Sequence, residues 1–177
     1  FFGYPAGLLA AFLLAGCAAE RSFREGKTLL SEGKVEEGLS RLENAVKEDP
    51  EALEYRTYLI KQRESYTKQI LAQADASLLN GRFDEAEAAY RRVLGLDRSS
   101  PRASAGVEAV VAARRHRALV DEAELAFGKG QLAAAQDKLR QVLVDNPRHR
   151  EGKALQRRID DKLAQSQVGS VQLISSI

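Results

Sequence analysis

The feature that most limits how this chain can fold is an internal repeat. Three stretches of the 177-residue sequence align at shifts of 48 and then 49 residues. The first runs from Gly26 through Leu30, Gly33, Gly38, Leu42 and Ala45 to Asp49-Pro50. The second holds Ala74, Leu78, Gly81, Ala86, Tyr90, Val93 and Asp97, and the third Ala123, Phe127, Gly130, Ala135, Leu139, Val142 and Asn146-Pro147. A sequence with such a period builds one supersecondary unit several times and buries its core between neighbours. Small residues (Gly26, Ala74, Ala123, then Gly38, Ala86, Ala135) let two helices approach, and the large ones fill the space between them. The glycine between them supplies the left-handed backbone that ends a helix. Pro50 and Pro147 stop the second helix, because proline lacks an amide hydrogen and disfavours helix in the residue before it. The second unit departs here, with Arg98 in that place and Pro101 three residues later. Asp84 and Glu85, just after Gly81, fall in the first turn of a helix, where its dipole favours them.

Between the motifs nothing interrupts a helix. Glu51 to Asn80 contains no Gly and no Pro, and Tyr55, Leu59, Tyr66, Ile70, Ala74 and Leu78 keep helical spacing. Pro101 to Phe127 has only Gly106 as a weak point. The composition agrees: 44% hydrophobic but only 6% aromatic, dominated by good helix formers. Over about residues 20–150 the order of small, large and turn residues resembles the tetratricopeptide (TPR) motif. Ordinary TPR units repeat every 34 residues, so these carry about 14 more. That is about four helical turns, which keeps the apolar stripe nearly in phase. The spacing therefore predicts two long helices of about 45 and 40 Å alternating with short ones of about 12 residues. A division of the long helices near Ser65 or Arg114 is the alternative. The predicted fold is all-α, a TPR-like helical-hairpin solenoid with long helices over residues 17–166. Arg150 to Gln165 is predicted to be a last polar helix. Val168 to Ile177, rich in β-branched residues, is predicted to be a short β-type tail, so that 167–177 leads into a β-containing domain.

The N-terminus carries a different signal. Ala6 to Ala15 is an apolar run, shorter than the roughly 20 residues that span a bilayer, and it suits the core of a secretory signal. It ends in Leu14-Ala15-Gly16-Cys17, which resembles the lipobox of bacterial lipoproteins. The resemblance implies cleavage before Cys17 from an extended backbone, diacylglycerol on its sulfur and a further acyl chain on the new amino group. Residues 1–16 would then be a truncated signal peptide. Two or three acyl chains give a lasting anchor where one gives marginal binding. Ala18 stands where an Asp marks inner-membrane retention in enteric lipoproteins, so the resemblance implies the periplasmic face of the outer membrane. The single cysteine cannot form an internal disulfide. With no Met in the chain and an apolar run at its end, the sequence is expected to be truncated at both ends.

Lipobox, TPR-like units and a β-type segment, in that order, resemble the periplasmic N-terminal part of secretin-like outer-membrane proteins of type II secretion and type IV pilus machines. The resemblance implies protein partners in an export complex and membrane contact through the lipid, and it leaves room for homo-oligomers of the full-length protein. A stand-alone TPR lipoprotein, acting as a pilotin or outer-membrane assembly factor, is the alternative. A hydrolase with a TPR tail would need a catalytic domain elsewhere. No enzyme chemistry, cofactor or metal is expected. The sequence has no phosphate loop, nucleophile elbow or HExxH, and His116 and His149, each beside arginines and without a ligand set, are expected to be solvated. Residues 1–89 carry a net −4 and residues 90–177 a net +6. No aromatic residues interleave with the arginines of the basic half to stack bases, so nucleic acid is not an expected partner. The candidate partner-binding groove is marked by Lys27, Asp75 and Glu124, at equivalent places in the three units. In TPR proteins that place usually lines the groove. A peptide-carboxylate clamp needs basic and Asn residues there, from which Asp75 and Glu124 depart.

Overall fold

A computed structural model describes the backbone of residues 6–174 and the side chains of residues 17–166. Among the described residues seven helices follow one another: α1 (Ala6–Ser31), α2 (Val35–Glu48), α3 (Leu53–Leu79), α4 (Phe83–Leu96), α5 (Pro101–Gly128), α6 (Leu132–Asp145) and α7 (Arg150–Ile174). Long and short helices alternate as the repeat demands. α3 and α5, of 27 and 28 residues, run unbroken past Ser65, Gly106 and Arg114, and the short helices have 14 residues each.

Each hairpin turns on the glycine that the repeat marks. Gly33, Gly81 and Gly130 have φ of 79°, 71° and 75°. The residue after each glycine has two roles. Lys34 N–H donates to Leu29 O at 2.9 Å, closing α1, while its own carbonyl accepts Gly38 N–H at 2.9 Å, opening α2. Arg82 does the same between Ser77 and Ala86, and Gln131 between Ala126 and Ala135. At these three turns the starts of α2, α4 and α6 carry no side-chain cap, and the bridging residue works through its backbone. This is why unlike side chains are accepted at these three places. After each short helix, Asp49, Asp97 and Asn146 accept a backbone N–H two or three residues on (Ala52 3.2 Å, Ser99 3.0 Å, Arg148 3.1 Å), as short polar side chains do in turns. Pro101 is the first residue of α5 rather than the stop of α4. That place needs no amide hydrogen.

The chain divides into two compact units, 1–104 and 105–177, with α5 passing from one to the other. In the first unit α1 pairs with α2 and α3 with α4. Phe23, Leu39, Leu42, Ala45 and Leu59 form a core bordered by Tyr55, Tyr58 and Tyr66. Gly26 and Gly38 bring α1 and α2 so close that a Cβ on either would lie 3.0 Å from the carbonyl oxygen of the other. Ala74 and Ala86 hold the same repeat positions between α3 and α4 and are fully buried. In the second unit Val120, Ala123, Ala135, Leu139, Val142, Leu155 and Ile159 form the core. Each large aliphatic group removed from water there stabilises the unit by about 1.5–3 kcal/mol before entropy is subtracted.

One expectation needs correction. The stretch from Val168, expected to enter a strand, continues α7 to Ile174, and there is no strand among the described residues. A β-branched segment gains from sheet only with strands to pair against, whereas a helix pairs its own backbone. Ser175–Ile177 lie outside the described residues. The lipobox-like stretch from Leu14 to Cys17 lies within α1. The side chains of Ala6–Gly16, the apolar core of the expected signal, lie outside the described residues. Among the described residues no helix is long and apolar enough to cross a membrane.

Candidate partner-binding surface

Lys27, Asp75 and Glu124 each follow a buried small residue on a long helix, and each meets a group from the next long helix. The Lys27 ammonium stands 5.3 Å from the Phe23 ring centre and 5.7 Å from that of Tyr58 on α3. Phe23 in turn stacks on Tyr55 at 4.5 Å and meets Tyr58 edge-on at 5.3 Å. Asp75 accepts the Tyr90 hydroxyl at 2.6 Å and the Arg102 guanidinium of α5 at 2.5 Å. In the second unit Glu124 pairs with Arg158 of α7 at 3.4 Å, and that guanidinium lies 4.8 Å above the Phe127 ring. The three expected groove residues therefore share a structural place, but each is engaged within the chain rather than with the others. Lys27 and Glu124 remain exposed, and Asp75 is half-buried.

The second of these clusters is the most enclosed. The Tyr90 hydrogen bond, and then Arg102, hold the Asp75 carboxyl below its usual range against the opposing effect of burial. Burial, followed by the bond to Asp75, pushes the Tyr90 phenol up to about 12. A comparable set ties α2, α3 and α4: Glu36 accepts Tyr66 Oη at 2.7 Å and pairs with Arg92, whose guanidinium lies 5.3 Å over the Tyr66 ring. Burial works to raise Glu36, but the Tyr66 and Arg92 hydrogen bonds outweigh it and leave it lowered.

Replacing Tyr90 by Phe keeps the ring and removes the hydroxyl. The expected loss is about 1 kcal/mol, measured by urea unfolding at pH 7. The folded Asp75 carboxyl is lowered, so its contribution is present above pH 3.8 and fades as pH falls through the lowered value. The difference between the two proteins should shrink over that range. An equal difference at pH 7 and pH 2.5 would contradict the pairing.

An open cleft of about 1020 Å³ runs along α1 and α2, lined by Arg21, Arg24, Glu25, Thr28, Glu36 and Arg41 among others. Its charges alternate in sign, with Glu25 taking both Arg21 (3.0 Å) and Arg41 (3.6 Å). Such a lining suits a polar chain segment better than an apolar ligand. Among the described residues no group of three or more His, Cys, Asp or Glu side chains could hold a metal ion.

Residues 71–122 match the tetratricopeptide repeat family. The match takes in the last third of α3, all of α4 and most of α5, the stretch that includes Asp75, Tyr90 and Arg102. The TPR glycine and small-residue positions recur in the hairpins on either side of it, α1–α2 and α5–α6. No curated protein and no solved structure matches the chain. A helical TPR-type repeat is a scaffold for protein–protein contact, and the exposed long-helix residues and the α1–α2 cleft are its candidate contact surface.

One histidine differs from the expectation. His116 is 8% exposed rather than solvated, and its ring meets that of His149 edge-on, 5.7 Å apart. No local motif signals this. The pairing would have followed only from placing α5 beside the turn into α7.

Proposed function

We propose that this chain is a lipid-tethered TPR scaffold on the periplasmic face of the outer membrane, serving a protein-secretion or pilus assembly complex. One observation supports the tether above the others. Cys17 and Ala18 are exposed, while Ala19, Ser22 and Phe23 are buried. The packed hairpin thus begins two residues after the cysteine, and acyl chains there would leave the fold unobstructed. Two or three chains would hold the scaffold at the membrane, with the repeats free to take up protein partners.

The second reading is a TPR lipoprotein that acts as an assembly factor or pilotin for outer-membrane proteins, and α7 bears on it. Where the secretin reading expects a strand, the helix continues to Ile174. Gly152, Leu155 and Ile159 are buried in α7 much as Ala103 and Val110 are in α5.

Cys17→Ser is expected to move the protein from the membrane pellet to the soluble fraction in a bacterial host and to abolish incorporation of labelled palmitate. A photocrosslinking residue at Thr28, in the α1–α2 cleft, is expected to capture an outer-membrane assembly component. Cys17→Ser protein that still pellets after a carbonate wash would remove the tether. Capture confined to cytosolic proteins would remove the secretion role.

A further inference from the structure

The contact between the two histidines lies at the start of α7. The His149 carbonyl accepts the Lys153 N–H at 3.0 Å, and its ring Nδ1 accepts the Gly152 N–H at 3.1 Å. His149 thereby fills the capping place before the helix, a role usually taken by Ser, Thr, Asp or Asn. Only an unprotonated Nδ1 can accept. Gly152 leaves no slack: a Cβ there would stand 3.3 Å from the same nitrogen.

The surroundings come from three helices and one turn. From α5, His116 presents its ring edge-on to His149, with planes at 86°. From α6, Asp145 lies 3.4 Å from His116 Nε2 and 3.7 Å from the Arg115 guanidinium. From α7, Glu151 pairs with Arg117 of α5 at 3.6 Å. Arg148 and Arg150 flank His149 in the chain. The acidic groups nearby are thus already paired with arginines of α5.

We propose that His149 is a pH-operated latch on α7. When neutral it caps the helix and holds its first turn. When protonated it loses the Gly152 hydrogen bond and sets a positive charge beside His116 and two flanking arginines, at the positive end of the α7 dipole, so the first turn is released.

Burial, and then the neighbouring His116, hold the His149 imidazole below its usual value, with Glu151 opposing. The packed state therefore favours the neutral ring. The latch contributes its full stability above pH 6.5, and this is lost as pH falls through the lowered folded value. The chain has two histidines, and ordinary carboxylates titrate lower. The window just below pH 6.5 is therefore where the His149 latch is tested.

The test uses the whole chain and amide hydrogen exchange, corrected for intrinsic rates, at Gly152 to Leu155. Between pH 7.5 and pH 5, exchange in the wild type should quicken about fivefold, the size of a lost helix cap. The midpoint should coincide with the NMR titration of the His149 ring. Asn caps without titrating, so His149→Asn should keep slow exchange at both ends of the range. Equal acceleration in His149→Asn would overturn the proposal by placing the effect on His116. A wild-type acceleration that does not follow the His149 ring titration and is still rising at pH 5 would overturn it by placing the effect on carboxylates. So would a wild type with no acceleration.

Discussion

Ala86→Trp is expected to destabilise the first unit by about 3 kcal/mol or more, enough to separate α4 from α3. Ala86 is fully buried and holds the repeat position of Gly38. At Gly38 a single added carbon would already stand 2.8 Å from the Leu30 side chain and 3.0 Å from the Gly26 carbonyl oxygen. An indole at the corresponding place in α4 can be housed only by moving one helix away from the other. Tyr90 and Val93 would be drawn out of their buried positions with it. Ala88, exposed on the same helix, supplies the control: Ala88→Trp should change stability by no more than about 0.5 kcal/mol. The measurement is thermal unfolding by circular dichroism. Matching melting temperatures for the Ala86 and Ala88 variants would refute the helix-contact assignment.

Leu139→Ala should destabilise the second unit by about 2–5 kcal/mol, from lost transfer energy and the cavity left behind. Leu139 is wholly buried in α6, in a core that draws Val120 and Ala123 from α5 and Leu155 and Ile159 from α7. With three helices converging, the space cannot collapse by moving one of them, which places the expected loss toward the upper part of that range. Leu125, 61% exposed on α5, should tolerate the same change with little effect. Urea unfolding followed with a probe in each unit would place the loss. A Leu139→Ala protein as stable as Leu125→Ala would show that the α6 stripe is not the core.

Much of this architecture was legible because its determinants are local. Gly33, Gly81 and Gly130 announce left-handed turns, and the absence of Gly and Pro from Glu51 to Asn80 announces an unbroken helix. The small and large positions could be read because the repeat states them three times, so that chance matches in one unit are checked by the others. What could not be read depends on which helix comes to lie beside which. Tyr90 was visible as a bulky residue, but not its bond to Asp75. A hint was present: the second repeat has Tyr where the others have Leu42 and Leu139, and it is the repeat with Asp at the groove position. Arg102, Arg158 and Tyr58 carried no comparable signal, because no departure from the repeat marks them. His116 and His149 were judged one at a time by their arginine neighbours, and only the packing of the second unit joins them. The tail from Val168 has the β-propensity of a strand, but propensity does not supply the partner strand it would need, and the helix continues to Ile174.

The length of α3 has a consequence for how such a chain can be divided. Its first half, through Tyr55, Tyr58 and Leu59, covers the core of the α1–α2 hairpin, while Ala74 and Ser77 in its second half are buried where α3 pairs with α4. The helix works like the overlap in a lap joint, fastening two boards with one piece of timber. A cut made at the turn between hairpins would strip one of them of its cover and leave aliphatic surface bare to water. The smallest fragment that keeps its core sheltered is a hairpin plus half of the helix that follows it, and shuffling or excision experiments on this chain should place their seams in the middle of a long helix.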